Sequence, residues 1–154
     1  MGNIYKKILF GTDGSPHSDN IARQIVDFQK QWNCKVVIFH SIKDDKYLSM
    51  LSSNNTLLSL NYRNSEELRK EFGKEILKQT KKIFDRASIS VELRLIEDED
   101  PKNYIKRMVK EEEFDLVILG SNEHHYKSEK SFLRQRFTKI LEESQSPCDV
   151  LIIR

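Results

Sequence analysis

The sequence predicts an α/β domain in which a five-stranded parallel sheet carries helices on both faces. Four short runs are apolar without interruption, as strands buried on both faces should be: 8–10, 36–39, 116–119 and 150–153. A fifth run, 89–96, alternates apolar and polar residues, which is typical of an edge strand with one solvated face. Amphipathic helical patterns fill the intervals, and this alternation of strands and helices favours a doubly wound sheet.

Composition indicates a single domain, 1–154. Hydrophobic residues make up 38% of the chain, which is enough for a buried core and too much for a disordered chain. The formal net charge is +2, whereas a dedicated nucleic-acid-binding domain would carry a strong basic excess. We therefore expect no nucleic-acid partner.

The two cysteines, Cys34 and Cys148, lie in separate strand-like runs and form no C-x-x-C pair. We interpret both as reduced thiols that pack as small apolar groups. No apolar stretch approaches the roughly 18 residues of a membrane-spanning helix, and residues 1–7 lack the apolar core of a signal peptide. These observations predict a cytoplasmic protein without a membrane partner.

The first two predicted helices follow the first and second strands. Ser18 or Asp19 is the expected N-cap of the first helix. Its apolar stripe consists of Ile21, Ile25, Phe28 and Trp32. The second helix, 65–86, is expected to bury one side, made of Leu68, Phe72, Ile76 and Ile83.

Two further helices complete the pattern. Asp100 and Pro101 supply the cap and the first-turn proline of a third helix, and a fourth is predicted within 132–143. One connection, 43–64, is about 20 residues long, and a loop of that length is usually either functional or disordered. Its apolar residues suggest a partly folded cover, and its role stays open.

Ligands of open parallel sheets bind beyond the carboxyl ends of the strands, here 11–15, 40–42 and 120–122. Asp13 directly follows the first buried strand. Its carboxylate could accept hydrogen bonds from a ribose or a base, or it could hold the turn by accepting from nearby backbone amides. The two roles are compatible, and the sequence leaves both open.

Three segments carry a family resemblance. Residues 7–18 read KILFGTDGSPHS, 115–121 read DLVILGS, and 148–154 read CDVLIIR. They resemble the opening strand and turn, the fourth strand and the closing strand of the universal stress protein family. The resemblance implies a sheet in the order 3-2-1-4-5 and a stress-response or regulatory function. It also implies a homodimer built on the last strand, through Asp149, Val150, Leu151, Ile152 and Ile153.

Some members of this family bind ATP through a motif after the fourth strand, G-x2-G-x9-G followed by Ser or Thr. Gly120 stands at the first position, but Glu123 replaces the second glycine, and Phe-Leu-Arg-Gln occupies 132–135 where the third glycine and the hydroxyl are expected. A carboxylate beside phosphates is unfavourable unless it is paired. Glu99 stands in the slot of another pocket glycine. We therefore expect a degenerate motif with weak or no ATP binding and no obligatory cofactor.

The alternative is a member of the family that does bind ATP or AMP. The resemblance would then place six residues at the nucleotide: Thr12, Asp13, Ile42, Gly120, Ser121 and Arg134. In this interpretation Arg134 and neighbouring basic side chains replace the missing backbone amides at the phosphates. The competing interpretation is that these cations form a solvated helix face.

Other classes fit less well. A signalling receiver needs clustered acids at the first strand end, and this chain offers Asp13 alone. Adenylating or pyrophosphatase enzymes of related fold use a Ser-Gly-Gly phosphate loop after the first strand, which 11–15 lack. No pair of nucleophile and base stands out, so no catalytic residue is predicted. His124 and His125 lack further ligands at metal-site spacing, so no metal site is predicted either.

Overall fold

The computed structural model describes residues 5–43, 66–120 and 148–153. Within them lie five strands and three helices. In chain order these are β1 (Lys7–Gly11), α1 (Pro16–Trp32), β2 (Lys35–Ser41), α2 (Glu66–Arg86), β3 (Glu92–Ile96), α3 (Pro101–Glu111), β4 (Leu116–Gly120) and β5 (Asp149–Ile153). The helix predicted within 132–143, and the 43–64 connection beyond Lys43, lie outside the described residues.

The five strands form one parallel sheet in the order β3-β2-β1-β4-β5, as predicted. The chain winds outward from β1 through β2 to β3, then returns to the other side of β1 for β4 and β5. The direction of winding therefore reverses between β1 and β4. In open α/β sheets this reversal point is where the crevice for ligands forms.

Helices cover both faces of the sheet, which confirms the predicted fold class. On one face, residues of α1 and α2 pack on apolar side chains of β1, β2 and β4, such as Phe10, Ile38 and Ile118. On the other face, α3 packs on a second cluster that contains Leu9, Val37 and Val117. Strands β1, β2 and β4 are buried from both sides, which explains their continuous apolar runs.

Helix α1 begins earlier than predicted. Its N-cap is Ser15, whose side chain accepts a hydrogen bond from the backbone N of Ser18 at 3.1 Å, and Pro16 follows in the first turn. The prediction of Ser18 or Asp19 as the cap is wrong, because Pro16 lacks an N–H and suits the first helical position. The predicted start of α3 is confirmed, since Asp100 Oδ1 accepts from Asn103 N at 2.9 Å.

Helix α2 buries a face that overlaps the predicted one only in part: Ile83 packs against the core as predicted. Leu68 is 49% exposed, although Ile76 is buried as expected. The buried face consists of Gly73, Ile76, Leu77, Thr80 and Phe84. Two of these five residues have no large apolar side chain, so a pattern of hydrophobic residues alone places the stripe incorrectly.

The two edges of the sheet are β3 and β5. The edge position predicted for the alternating run is confirmed, although β3 itself is shorter, Glu92–Ile96. Arg94 of β3 donates from Nη1 and Nη2 to Glu112 at 2.7 and 2.9 Å, and it also pairs with Glu92. The β3 edge is therefore charged, whereas β5 carries Val150, Leu151, Ile152 and Ile153 after a single acid.

Both cysteines are buried, as their apolar settings indicate. Burial raises the pKa of the Cys34 thiol. Burial, followed by the charges of Asp115 and Asp149, raises the pKa of Cys148 to about 12. High thiol pKa values disfavour the reactive thiolate. No described helix is long and apolar enough to cross a membrane, and the cytoplasmic location stays a prediction.

Candidate functional site

The carboxyl ends of β1, β2 and β4 meet around Thr12. Phe10 pairs with Ile118 and Gly11 with Phe39, so the register continues with Thr12 between His40 of β2 and Gly120 of β4. Thr12 N donates to Phe39 O at 2.9 Å. His40 Nδ1 donates to Thr12 O at 2.7 Å. The residues after β1 are thus fixed to β2 at the reversal point of the sheet.

Asp13 organises the turn that follows β1. Its Oδ1 accepts from Ser15 N at 2.9 Å and from Ser18 Oγ at 2.6 Å. Burial alone would raise the pKa of this carboxyl. The hydrogen bonds from Ser15 and Ser18, together with the nearby His40, lower the pKa by more than burial raises it, so it lies below its ordinary value. The turn role is confirmed, and Asp13 is a carboxylate at neutral pH.

Two of the hydrogen bonds that Asp13 accepts, from Ser15 N and from Ser18 Oγ, end on Oδ1. A carboxylate has acceptor capacity for about four hydrogen bonds. Oδ2 therefore retains capacity for a donor such as a ribose hydroxyl. The ligand role of Asp13 stays a prediction, and the turn role does not compete with it.

A buried hydroxyl pair lies beneath this turn. Thr12 Oγ1 is 3.1 Å from Thr80 Oγ1 of α2, and it accepts from Gly14 N at 3.3 Å. Thr12 is 3% exposed and Thr80 is 0% exposed. The Thr12 hydroxyl is therefore used inside the protein, and its contribution to a ligand site is to hold the backbone of the turn.

Gly14 is required where it stands. Its φ is +76°, a conformation that favours glycine, and a Cβ built on it would lie 2.9 Å from Ile76 Cγ1. Helix α2 therefore approaches the turn closely through Ile76. Together with Thr80, this contact makes α2 the support of the turn that carries Asp13.

The end of β2 is fixed to the loop that follows β3. Ile42 N donates to Ile96 O at 3.0 Å, and Ser41 Oγ donates to Glu99 O at 2.5 Å. Lys43 Nζ donates to Asp98 O at 3.1 Å. Ile42 is only 3% exposed, so it contributes a small apolar surface to the carboxyl end of the sheet.

The Glu99 carboxylate is neutralised by a neighbour. Arg107 Nε donates to its two oxygens at 2.9 and 3.1 Å, and Arg107 Nη2 pairs with it as well. The expectation that Glu99 repels phosphates treated it as an unpaired charge. A paired carboxylate exerts less repulsion, so Glu99 carries little weight against a nucleotide.

Sequence reasoning missed His17. A Cβ on Gly120 would lie 2.7 Å from Ile21 Cδ1 and 3.2 Å from His17 Cδ2, so the imidazole packs directly over Gly120 at the end of β4. His17 Nε2 also lies 3.1 Å from Ile153 O at the end of β5. The sequence offered one signal, a histidine in the first turn after β1, but its contacts depend on the strand order.

Two of the predicted site residues, Ser121 and Arg134, lie outside the described residues, as does Glu123. The structure brings Thr12, Asp13 and Gly120 together at the reversal point and holds Ile42 at the neighbouring strand end. No group of three or more metal-ligating side chains occurs within 5–43, 66–120 or 148–153.

A parallel sheet in the order 3-2-1-4-5, with an aspartate turn after β1, is the arrangement that the family resemblance implies. The model of the family described as "Universal stress protein family" matches residues 4–154. The chain belongs to the universal stress protein family. The universal stress protein MJ0531 of Methanocaldococcus jannaschii is 26% identical over 119 residues, which are 77% of this chain and 66% of that relative.

Solved universal stress proteins share the fold over almost the whole chain. A universal stress protein in complex with cAMP has a TM-score of 0.62 and 18% identity, with 97% of each chain covered. The universal stress protein from Archaeoglobus fulgidus in complex with dAMP has a TM-score of 0.58 and 14% identity, with 98% of this chain and 99% of that chain covered. At these identities the similarity shows the fold alone.

Proposed function

We propose that this universal stress protein is a regulatory, non-enzymatic dimer that binds an adenine nucleotide through its nucleoside part and holds MgATP weakly. One observation carries the proposal. Asp13 is a carboxylate at the reversal point of the sheet, and its bonds within the turn occupy Oδ1. The position is the one where open α/β sheets bind ligands.

The nucleoside half of the proposed site is built from rigid parts. Asp13 is held by Ser15 and Ser18, and the backbone beneath it is held by Thr80. Ile42, which is 3% exposed, closes the next strand end with an apolar side chain. A fixed acceptor beside an apolar surface suits a ribose hydroxyl and a purine face, because less entropy is lost when the binding groups are already in place.

The phosphate half has lost the glycines that allow backbone amides to approach phosphates. Gly120 keeps the first position, whereas Glu123 and the segment 132–135 replace the rest. The relatives solved with cAMP and dAMP hold ligands with one phosphate. These facts support a site for a nucleoside monophosphate and disfavour one for a polyphosphate.

A role without catalysis is supported by the chemistry of the described strand ends. The Ser18 hydroxyl donates to Asp13, and Ser15 caps α1. His40 is buried and donates to Thr12 O. Ser15, Ser18 and His40 thus have structural partners within the protein, which suits binding better than bond cleavage.

Dimerisation is supported by the β5 edge. Asp149–Ile153 pairs with β4 on one side and is the last strand of the sheet. An apolar edge strand is an aggregation hazard unless another chain or element covers it, and a second copy can do so by two-fold pairing. Sedimentation equilibrium tests this part. We expect a dimer at tens of micromolar and a folded monomer for Leu151→Asp; a monomeric native chain contradicts the proposal.

Isothermal titration with AMP and with MgATP tests the ligand. We expect AMP to bind. For MgATP we expect weak binding, with a dissociation constant above the low micromolar range. Tight MgATP binding would contradict the expectation that the altered motif disfavours a polyphosphate. If no nucleotide bound at millimolar concentration, the chain would instead be a family member that works without a nucleotide.

The same titration with Glu123→Gly tests how much the carboxylate of Glu123 weakens MgATP binding. We expect less than about a tenfold gain in MgATP affinity, or roughly 1.4 kcal/mol, because 132–135 still lack the remaining motif residues. A larger gain would identify the carboxylate of Glu123 as the main obstacle. Denaturing the purified protein and identifying co-purified nucleotide by mass spectrometry provides an independent check.

A further inference from the structure

We propose that His17 is a ligand-binding residue of this site, and that its imidazole takes up a proton as it receives the phosphate of the nucleotide. The inference rests on the proposed function and names the phosphate-binding group that the degenerate motif lacks. Three features of the described structure lead to it: the position of the ring, the hydrogen bond of one ring nitrogen, and the charges around it.

His17 lies at the carboxyl ends of β4 and β5, next to the point between β1 and β4 where the winding reverses. The residue lies in the first turn of α1, four positions after Asp13, and its ring packs over Gly120 at the end of β4. Gly120 is the one described residue that matches the phosphate motif. A ligand that reaches from Asp13 to the end of β4 would therefore pass His17.

The hydrogen bond of His17 defines which nitrogen is available. Nε2 lies 3.1 Å from Ile153 O. A carbonyl oxygen can only accept, so Nε2 carries the proton of the neutral ring and Nδ1 is then an acceptor. Protonation converts Nδ1 into a donor and leaves the bond to Ile153 intact. The ring can therefore gain a charge without losing its anchor on β5.

The surrounding charges favour a cation once a phosphate is present. Within the described part of the chain, the charged residues closest to His17 in sequence are Asp13 and Asp19, both acids, and its contacts Gly120 of β4 and Ile153 of β5 are uncharged. A phosphate beside the carboxylate of Asp13 would meet like charge. A protonated imidazole at His17 would supply the compensating positive charge beside the phosphate.

Proton uptake makes the inference measurable. The probe is cAMP, whose phosphodiester keeps one negative charge between pH 6 and pH 8, and adenosine is the control without phosphate. We expect the native protein to bind cAMP about tenfold more tightly at pH 6 than at pH 8, because the bound state holds one more proton. The affinity for adenosine should not change.

His17→Gln is the matched variant. Its side-chain amide can still donate to Ile153 O, but it cannot gain a proton. We expect the variant to keep its thermal unfolding temperature and its adenosine affinity and to lose the pH dependence for cAMP. Titrations at pH 7 in two buffers of different ionisation enthalpy should show proton uptake by the native protein and none by the variant.

The outcomes separate the two proposals. If both ligands bind the native protein and cAMP affinity is the same at pH 6 and pH 8, the role of His17 is refuted while the nucleotide site stands. Equal pH dependence in the native protein and in His17→Gln refutes it as well. If neither ligand binds the native protein at millimolar concentration, the nucleotide site itself is refuted, and the role of His17 with it.

Discussion

The two ends of the sheet use aspartate in different ways. At the amino end, Asp115 accepts from Lys6 N at 2.8 Å through Oδ2 and from Lys7 N at 2.9 Å through Oδ1, so both of its oxygens hold backbone. At the carboxyl end, Oδ1 of Asp13 accepts from Ser15 N and from Ser18 Oγ. Both oxygens of Asp115 thus hold backbone amides of the fold, whereas these two bonds to Asp13 share a single oxygen.

The contacts around each aspartate extend the contrast. At the amino end, Tyr5 donates to Asp149 Oδ2 at 2.6 Å, and Lys7 Nζ donates to Glu112 O at 2.9 Å. At the carboxyl end, His17 engages one ring nitrogen with Ile153. The contacts at the amino end therefore stabilise the domain, whereas the carboxyl end, with its rigid backbone, is where we propose that the ligand binds.

The largest expected effect is at the amino end. Asp115→Ala leaves the amides of Lys6 and Lys7 without their acceptor, which should lower the free energy of unfolding by about 2–3 kcal/mol. Urea unfolding measures the loss, and AMP affinity of the folded fraction should not change. Asp115→Asn keeps one acceptor and should lose less. A loss below about 0.5 kcal/mol for Asp115→Ala would show that water replaces the carboxylate at no cost.

The next effect is at the carboxyl end. Gly14→Ala places a Cβ 2.9 Å from Ile76 Cγ1 at a φ of +76°, and it should destabilise the fold by about 1–2 kcal/mol. AMP affinity should fall too, because the turn that carries Asp13 must shift. Combining the change with Ile76→Ala removes the Cγ1 and Cγ2 atoms of this contact, so the double variant should lose less stability than the sum of the two single variants. If Gly14→Ala bound AMP with native affinity, the geometry of this turn would not control AMP binding.

A smaller effect is expected beneath the turn. Thr80→Val is similar in shape but removes the hydroxyl 3.1 Å from Thr12 Oγ1, and it should cost about 1 kcal/mol of unfolding free energy. Thr80→Ser keeps the hydroxyl and serves as the control for hydrogen bonding. We expect AMP affinity to fall in the valine variant more than in the serine variant. Equal AMP affinities in the two variants would mean that Thr80 stabilises the core but does not affect the ligand site.

The strands could be predicted from sequence because burial on both sides leaves a continuous apolar signal, as in β1, β2 and β4. The buried face of α2 could not, because Gly73 and Thr80 carry no hydrophobic signal, although Gly73 lets α2 approach β2 and β3 closely and Thr80 contacts the turn after β1. Asp13 was recognisable from its place after β1. The position of His17 over Gly120 was not, since it depends on the strand order.

The smallest effect concerns the pH dependence of the amino end. The hydrogen bond to Asp149, followed by burial and the charges of Asp149 and Asp115, raises the pKa of Tyr5 to about 12. A tyrosine in the unfolded chain loses its proton near pH 10. The stabilisation from this bond is therefore complete below about pH 10 and is lost as the pH rises towards about 12.

Tyr5→Phe isolates that contribution, because phenylalanine retains the edge-to-face contact with Trp32 at 5.1 Å between ring centroids. The native protein should exceed the variant by about 0.5–1 kcal/mol of unfolding free energy at pH 8, and this difference should vanish towards pH 12. Urea unfolding of both proteins across this range provides the comparison. A difference in unfolding free energy that stays constant to pH 12 would show that the bond to Asp149 does not raise the pKa of Tyr5.

The most direct test of the account compares the two aspartates as ligand groups. Isothermal titration of AMP into Asp13→Asn and Asp115→Asn uses the same substitution at opposite ends of the sheet. In Asp13→Asn the side-chain amide oxygen can still accept from the turn, but a neutral acceptor binds a hydroxyl less strongly than a carboxylate does. We predict about a tenfold loss of AMP affinity for Asp13→Asn and no change for Asp115→Asn. Native AMP affinity in Asp13→Asn would contradict the account.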